Sequence, residues 1–265
     1  MDRPRQFRIN YGHPLARGLV FAGLGGPAGV GSSLYQDSSL YRNNGTLTNM
    51  DPATDWVWDR FLGRWVLDYD VTNDAVALPA VFGTLDSGNA WTISIWHKCT
   101  GIVSYGGLIT AGCTGLAQTR SAGYYGLLRT GAGFVDVVQV SATPEVAGKW
   151  LNVCAVVNGA PSGPPDANAN IYINGKLTNG AFAGDGNYNV HNTIGQGYAS
   201  ANGQIGDPMI WCRALSTSEL SIFADPSNTM LGGLLMPPKR RYYRIGGGTY
   251  HGYPTMDTIP TMGTI

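Results

Sequence analysis

Trp91-Thr-Ile-Ser-Ile-Trp-His-Lys98 is the stretch that decides the fold class. On an extended backbone Trp91, Ile93 and Ile95 fall on one side and Thr92 and Ser94 on the other, the period-two pattern of a half-buried strand in an antiparallel sheet. Leu151, Val153, Ala155 and Val157 repeat it, and 134–140 and 205–211 read as further strands. Pro208 has no amide to donate, so the last of these is expected to be an edge strand or to carry a bulge. His97 closes its strand between Trp96 and Lys98 and is expected to be a hydrogen-bonded surface histidine. The sharpest local signal is Ile171-Tyr-Ile-Asn-Gly-Lys-Leu177. Asn174-Gly175 accepts the positive φ angles of a two-residue turn, which predicts a hairpin.

One helix is legible among these strands. Ser216-Thr-Ser-Glu219 has the spacing of a capping box, Leu220 and Phe223 supply an apolar face, and Asp225-Pro226 ends it. The whole chain, 265 residues with 38 Gly, 15 Pro and only 13% charged residues, fits one turn-rich β domain. Its 17 basic and 17 acidic residues give no net charge, which argues against nucleic acid as a partner, because phosphate binding needs clustered Lys and Arg. No apolar stretch has the length of a membrane span, and the polar, basic start Met1-Asp-Arg-Pro-Arg-Gln-Phe-Arg8 is not expected to act as a secretory signal. Cys99, Cys113, Cys154 and Cys212 lie far apart, so buried reduced thiols are expected rather than a zinc site or a disulfide framework.

Five patterns follow one another in order. They are Asp37-Ser-Ser-Leu-Tyr-Arg-Asn-Asn-Gly-Thr-Leu47, Arg64-Trp-Val-Leu-Asp-Tyr-Asp70 leading to Asp74-Ala-Val-Ala-Leu-Pro79, then the 91–98 strand. Gly148-Lys-Trp-Leu-Asn-Val-Cys154 with Asn170-Ile-Tyr-Ile-Asn-Gly-Lys176 comes next, and last Gly203-Gln-Ile-Gly-Asp-Pro-Met-Ile-Trp-Cys-Arg-Ala-Leu-Ser216. Taken together, this series resembles the laminin-G-like branch of the concanavalin A-like lectin and glucanase superfamily, over roughly residues 15 to 225. The resemblance implies an all-β, antiparallel two-sheet jelly-roll sandwich at 15–228 with one short C-terminal helix. Extended arms are then expected at 1–14 and 229–265.

The glucanases of that superfamily resemble one another in a Glu-x-Asp-x-x-Glu strand motif. Only two glutamates are present here, Glu145 and Glu219, and neither stands in such a motif. A retaining glycosidase needs two carboxyls about 5 Å apart, and the nearest cluster in sequence, Asp68, Asp70 and Asp74, consists of aspartates at a strand end and its turn. His13, His97, His191 and His251 are scattered with no nucleophile elbow among them, so no catalytic residue is expected. The resemblance also suggests calcium, with Asp70-Val-Thr-Asn-Asp74 and Asp207 as the matching oxygen donors. A tight turn at Asn73 and Asp74, with Asp70 capping local amides, explains the first of these equally well, and no metal ligand is assigned.

For recognition, sugar faces stack on aromatic rings. Trp56 and Trp58 beside Asp55 and Asp59, and Tyr124 with Tyr125, are the candidate glycan-stacking residues, and the loops between strands are their expected place. The C-terminal stretch has a different character. Lys239, Arg240, Arg241, Tyr242, Tyr243 and Arg244 precede Gly246-Gly-Gly248, and Tyr250 and Tyr253 follow. No periodicity there suffices to bury a face, so an arm contacting a neighbouring subunit is expected. Small virus-encoded proteins with a similar domain resemble this chain in a Pro-Pro-Lys-Arg-Arg-Tyr-Tyr type ending. Two roles are therefore expected. One is a non-enzymatic decoration subunit on a phage capsid, contacting other virion proteins and itself as a homo-oligomer, with a trimer preferred because such subunits favour closed symmetry. The other is a carbohydrate-binding module.

Overall fold

The computed structural model describes residues 8–24, 26–28, 31–70, 73–80, 88–101, 106–111, 114–119, 123–131, 134–142, 144, 146–160, 166–180, 192–197, 199–228 and 230–236, with backbone alone at 130–131 and 134–140. Among the described residues nineteen strands run in the order β1 (Arg8–Ile9), β2 (Leu19–Ala22), β3 (Leu34–Tyr35), β4 (Gly45–Thr48), β5 (Trp56–Asp59), β6 (Arg64–Tyr69), β7 (Ala75–Ala77), β8 (Trp91–Cys99), β9 (Gly106–Ala111), β10 (Thr114–Gln118), β11 (Tyr125–Gly131), β12 (Phe134–Val140), β13 (Leu151–Val157), β14 (Ala169–Ile173), β15 (Lys176–Leu177), β16 (Thr193–Ile194), β17 (Ala199–Ser200), β18 (Gly203–Trp211) and β19 (Leu235–Met236). One α-helix, α1 (Thr217–Ala224), follows β18.

Eight of the strands form one sheet in the order β15-β14-β13-β8-β18-β6-β5, with β2 also on β18. Nine form the other, β12-β11-β10-β9-β16-β7-β4-β3, with the two residues of β17 pairing in parallel to β9. All other pairings are antiparallel, as a sandwich of this kind requires. The inner faces meet in one large core that includes Trp91, Ile93 and Ile95 of β8, Val153 and Ala155 of β13, and Leu108, Ile109 and Leu127 of the opposite sheet. Burying these apolar faces supplies the main drive to fold.

The outer face of the eight-stranded sheet is also covered over part of its area. Trp211, Cys154 and Val156 join Leu220 and Phe223 of α1 and Leu231, Leu234 and Leu235 in a second cluster. Thr92 and Ser94, expected on a half-exposed face, are therefore buried. Thr92 Oγ1 donates to the Arg213 carbonyl at 2.8 Å and accepts from the Leu215 amide at 3.0 Å, which satisfies a hydroxyl that burial would otherwise leave unpaired.

Local chemistry sets the punctuation. Asn174 and Gly175 take φ of 50° and 74° between β14 and β15, the two-residue hairpin turn expected from Asn-Gly. Ser216 caps α1 in a complete capping box with Glu219, while Leu220 and Phe223 are its buried residues. The bulge expected around Pro208 is present, but in a central strand rather than at an edge. The register of β18 on β8 slips between Gly206 and Met209, and there Asp207 adopts φ 46°. On its other side β18 pairs with β6 through 203–205 and with β2 through 209–211, so the bulge marks the point where one neighbour gives way to another.

The folded unit is larger than 15–228. Arg8 and Ile9 pair with Met236 and Leu235, and Ile9, Leu231, Leu234 and Leu235 are buried in the second cluster. Residues 8–14 and 230–236 thus belong to the domain and not to arms, because the outer face needs their apolar side chains as a lid. Among the cysteines, Cys99 and Cys154 are buried and Cys212 is exposed, which corrects the expectation for Cys212; Cys113 lies outside the described residues. Among the described residues no helix is long and apolar enough to cross a membrane.

Candidate functional site

The β5–β6 hairpin closes one edge of the eight-stranded sheet, and its register sets Trp56 against Leu67, Trp58 against Trp65 and Asp59 against Arg64. Asp59 staples the turn: its Oδ1 accepts from the amides of Phe61 and Leu62, both at 2.9 Å, and Gly63 takes φ 65° and donates to the Asp59 carbonyl at 2.9 Å. This places an Asx-type turn between two short strands, a rigid support for the side chains they carry.

Trp56 and Trp58 share a face, being two residues apart in a strand, yet their surroundings differ. Trp56 is 7% exposed and stacks on Tyr35, ring centroids 5.6 Å apart and planes 9° from parallel. It is a core residue and not a sugar platform. Trp58 lies one pleat further along and is 52% exposed. Its ring meets Trp65 edge to face at 5.7 Å and 79°, the favoured aromatic geometry. Trp65 is itself held from behind, since a Cβ at Gly26 would come within 2.5 Å of the Trp65 ring. The flanking side chains Asp55 and Arg60 are half-buried and exposed, and Asp55 accepts from the Asp51 amide at 2.7 Å and the Thr54 hydroxyl at 2.8 Å. A pinned, half-exposed indole can stack a sugar ring.

Tyr125 is 1% exposed. Its hydroxyl lies 3.1 Å from His97 Nδ1, so it too is core, paired across the sandwich. Tyr124 is half-buried just before β11, and no contact joins it to Trp58 among the described residues. His97 is fully buried, in place of the surface position expected for it, and burial lowers its pKa to about 3. Arg240, Arg241, Tyr242, Tyr243, Tyr250 and Tyr253 lie outside the described residues.

The carboxylates expected to serve calcium or catalysis have other partners. Asp207 is ion-paired with Arg64, its side chain 2% exposed; burial raises its pKa while Arg64 pulls it back down. That carboxylate does not fit a cation cage. Asp74 is buried and accepts from the Asp70 amide at 3.2 Å, so the capping role falls to Asp74 and not to Asp70, while Asn73 takes φ 76°. Among the described residues no group of three or more His, Cys, Asp or Glu converges. Glu219 is bound by Arg213 at 2.6 Å and by Ser216, and these bonds hold its pKa down to about 2; Glu145 lies outside the described residues.

Sequence reasoning missed Trp65, and with it the reason that Trp58 is held firmly. The signal was present in Asp59-Arg-Phe-Leu-Gly63, a turn between two alternating runs that brings Trp65 opposite Trp58.

A family model described as the concanavalin A-like lectin/glucanases superfamily matches residues 70–221. No curated protein sequence matches the chain. Among solved structures, domain 4 of an extracellular arabinanase from Geobacillus stearothermophilus, in complex with arabinotriose, is similar at 16% identity and TM-score 0.55, over 78% of this chain and 98% of that one. The binding domain of Paraclostridial Mosquitocidal Protein 1 is similar at 15% identity and TM-score 0.54, over 80% of this chain and 53% of that one. A Trypanosoma rangeli sialidase mutant displaying trans-sialidase activity is similar at 15% identity and TM-score 0.50, over 80% of this chain. This chain spans 33% of that sialidase's length. At these identities the likeness is one of fold alone. With the matched segment covering more than half its length and the two-sheet sandwich around it, the chain belongs to the concanavalin A-like lectin/glucanases superfamily.

Proposed function

We propose that this protein is a non-catalytic carbohydrate-binding module that stacks a sugar ring on Trp58. The observation that carries the reading is the exposed Trp58 indole, fixed edge to face against Trp65 on a stapled hairpin. Such a ring loses little conformational freedom on binding, so the apolar face of a sugar gains its full contact. The same fold holds a domain solved with arabinotriose and the binding domain of a mosquitocidal protein. The non-catalytic reading rests on the engagement of Glu219 and Asp207 elsewhere. A glycan panel probed with the full chain tests it. Saturable binding to a defined glycan that Trp58→Ala weakens by about tenfold or more and Trp58→Phe largely retains supports the reading; an unchanged affinity in Trp58→Ala opposes it.

A second reading has its own support. The pairing of Arg8 with Met236 places the first and the last described residues side by side at one place on the domain, an anchorage suited to a subunit that grips a neighbour. On this reading the chain is a structural subunit of a phage particle, a capsid decoration protein and a closed homo-oligomer such as a trimer. Mass spectrometry of purified particles with stoichiometry tests it: hundreds of copies per particle support it, and absence from particles opposes it. The two roles are compatible in one molecule.

A further inference from the structure

Asparagine followed by glycine occurs five times in this chain, at 44–45, 158–159, 174–175, 179–180 and 202–203. Such a pair can react with itself, because glycine has no side chain to keep its backbone nitrogen away from the asparagine carboxamide. The reaction needs a carboxamide free to turn toward that nitrogen and room for the five-membered ring that results. Four of the pairs lack both. Asn44 Oδ1 accepts from the Asp37 amide, Asn174 Oδ1 from the Asn152 amide and Asn179 Oδ1 from the Ile171 amide, each at 2.9 Å, and Asn202 Oδ1 accepts from the Thr100 hydroxyl. Their glycines are crowded as well. A Cβ would collide with Val76 Cγ1 at Gly45, with the Ser141 carbonyl oxygen at Gly180 and with the Lys98 carbonyl oxygen at Gly203, and at Gly175 it would lie 3.1 Å from Ala224 Cβ. The pair at 158–159, which directly follows β13, differs on both counts. Asn158 is exposed, and among the described residues no hydrogen bond holds its carboxamide. Only its backbone is fixed, the amide donating to the Asn168 carbonyl at 2.9 Å. A Cβ at Gly159 would meet nothing within 4 Å.

We propose that the fold selects Asn158 as a site of spontaneous modification, converted in the native protein to aspartate and isoaspartate. The Gly159 backbone nitrogen forms a bond to Asn158 Cγ, the Cγ–Nδ2 bond breaks, and the Gly159 amide proton leaves with Nδ2 as ammonia. Water then opens the succinimide. Opening between Cγ and the nitrogen leaves aspartate, and opening at the main-chain carbonyl leaves isoaspartate, whose backbone is one carbon longer. The place gives the reaction a consequence. The Gly159 carbonyl accepts from Arg129 Nη2, while Arg129 Nη1 lies 2.6 Å from Asp166 Oδ2, both side chains being 0% exposed. Arg129 belongs to β11 of the nine-stranded sheet and Gly159 follows β13 of the eight-stranded one, so the guanidinium clasps the two sheets together. A longer backbone beside that carbonyl loosens the clasp, and either product adds a negative charge next to it.

Incubation of the full chain in oxygen-18 water at mildly alkaline pH tests this, with the label localised by electron-transfer fragmentation of the digested protein, which also separates isoaspartate from aspartate. Label is expected at position 158 about tenfold faster than at 44, 174, 179 or 202, since a pinned carboxamide must first give up a hydrogen bond to react. The chain carries no net charge, so the conversion also appears as an acidic form on isoelectric focusing, which Asn158→Gln is expected to lack. The same chain unfolded in urea is the reference, and there the five rates are expected to draw together. Faster labelling at any of the other four pairs in the folded chain, or a preference for 158 that persists undiminished in urea, would overturn the proposal.

Discussion

Arg64 and Asp207, 143 residues apart in the chain, form a buried ion pair at the point where β6 and β2 succeed each other along β18. The bulge that makes room for this exchange turns Asp207 inward at a positive φ that Asp and Asn tolerate better than other residues. Arg64 also donates from Nε to the Leu62 carbonyl at 3.1 Å, which ties the pair to the hairpin carrying Trp58. Removing one partner leaves a buried charge alone, at a cost of about 3–5 kcal/mol, whereas removing both costs far less. Urea unfolding is expected to show Arg64→Met as strongly destabilised and Arg64→Met with Asp207→Asn as substantially restored. Equal losses in the single and double variants would contradict the pairing as the source of stability.

His97 sets a pH dependence. Its folded pKa is near 3 because burial disfavours the charged ring, and the unfolded chain takes its proton near 6.5. Stability from this residue is therefore complete above 6.5 and declines as pH falls from 6.5 towards 3, by up to about 1.4 kcal/mol per unit. Glu219, held near 2 mainly by Arg213, adds its loss only below its ordinary value of 4.5. Urea midpoints at pH 7, 6 and 5 are expected to fall in the native chain and to stay level in His97→Gln. A slope that survives the substitution would assign it to another group.

How much of this was legible from the sequence depends on the range of the physics involved. The Asn174-Gly175 turn, the Ser216 capping box and the strand at Phe134–Val140 were readable because a few neighbouring residues determine each. Thr92, Ser94 and His97 were misjudged because alternation says which residues share a face and not what lies on it. The cover over the first two comes from α1 and from 230–236, and His97 faces Tyr125 of the opposite sheet. The β1–β19 ladder is two residues long on each side and joins the ends of the domain, too short for any pattern to announce. Trp56 and Trp58 were indistinguishable for a related reason: the Tyr35 ring that stacks on Trp56 comes from the opposite sheet.

Asp37 explains the first of the ordered patterns. Its buried carboxylate accepts from the amides of Ala22, Ser39 and Asn43 and from the Ser39 hydroxyl, at 2.6–2.9 Å. The loop that exposes Leu40 and Tyr41 is thereby bolted to β2. Asp37→Ala strands these donors and is expected to cost about 2–4 kcal/mol, read as a drop in thermal midpoint, with Asp37→Asn losing less. An unchanged midpoint in Asp37→Ala would show the loop to be dispensable.

Gly175 makes a narrower case. At φ 74° an L side chain is strained, and a Cβ there would lie 3.1 Å from the Ala224 Cβ and 3.3 Å from the Ser221 Cα. Gly175→Ala is expected to destabilise by about 1–2 kcal/mol and to loosen α1 against the hairpin, seen as faster amide exchange in 217–224. Unaltered exchange there would separate the turn from the helix.

The proposed function turns on Trp58 as the sugar-stacking residue of the sandwich. Isothermal titration of the full chain with the best glycan from the panel, for the native protein, Trp58→Phe and Trp58→Ala, tests it most directly. Binding is expected in the first two and a loss of about tenfold or more in the third, with the thermal midpoint little changed because the ring is half exposed. Native affinity in Trp58→Ala, or no glycan bound by the native chain, would contradict it.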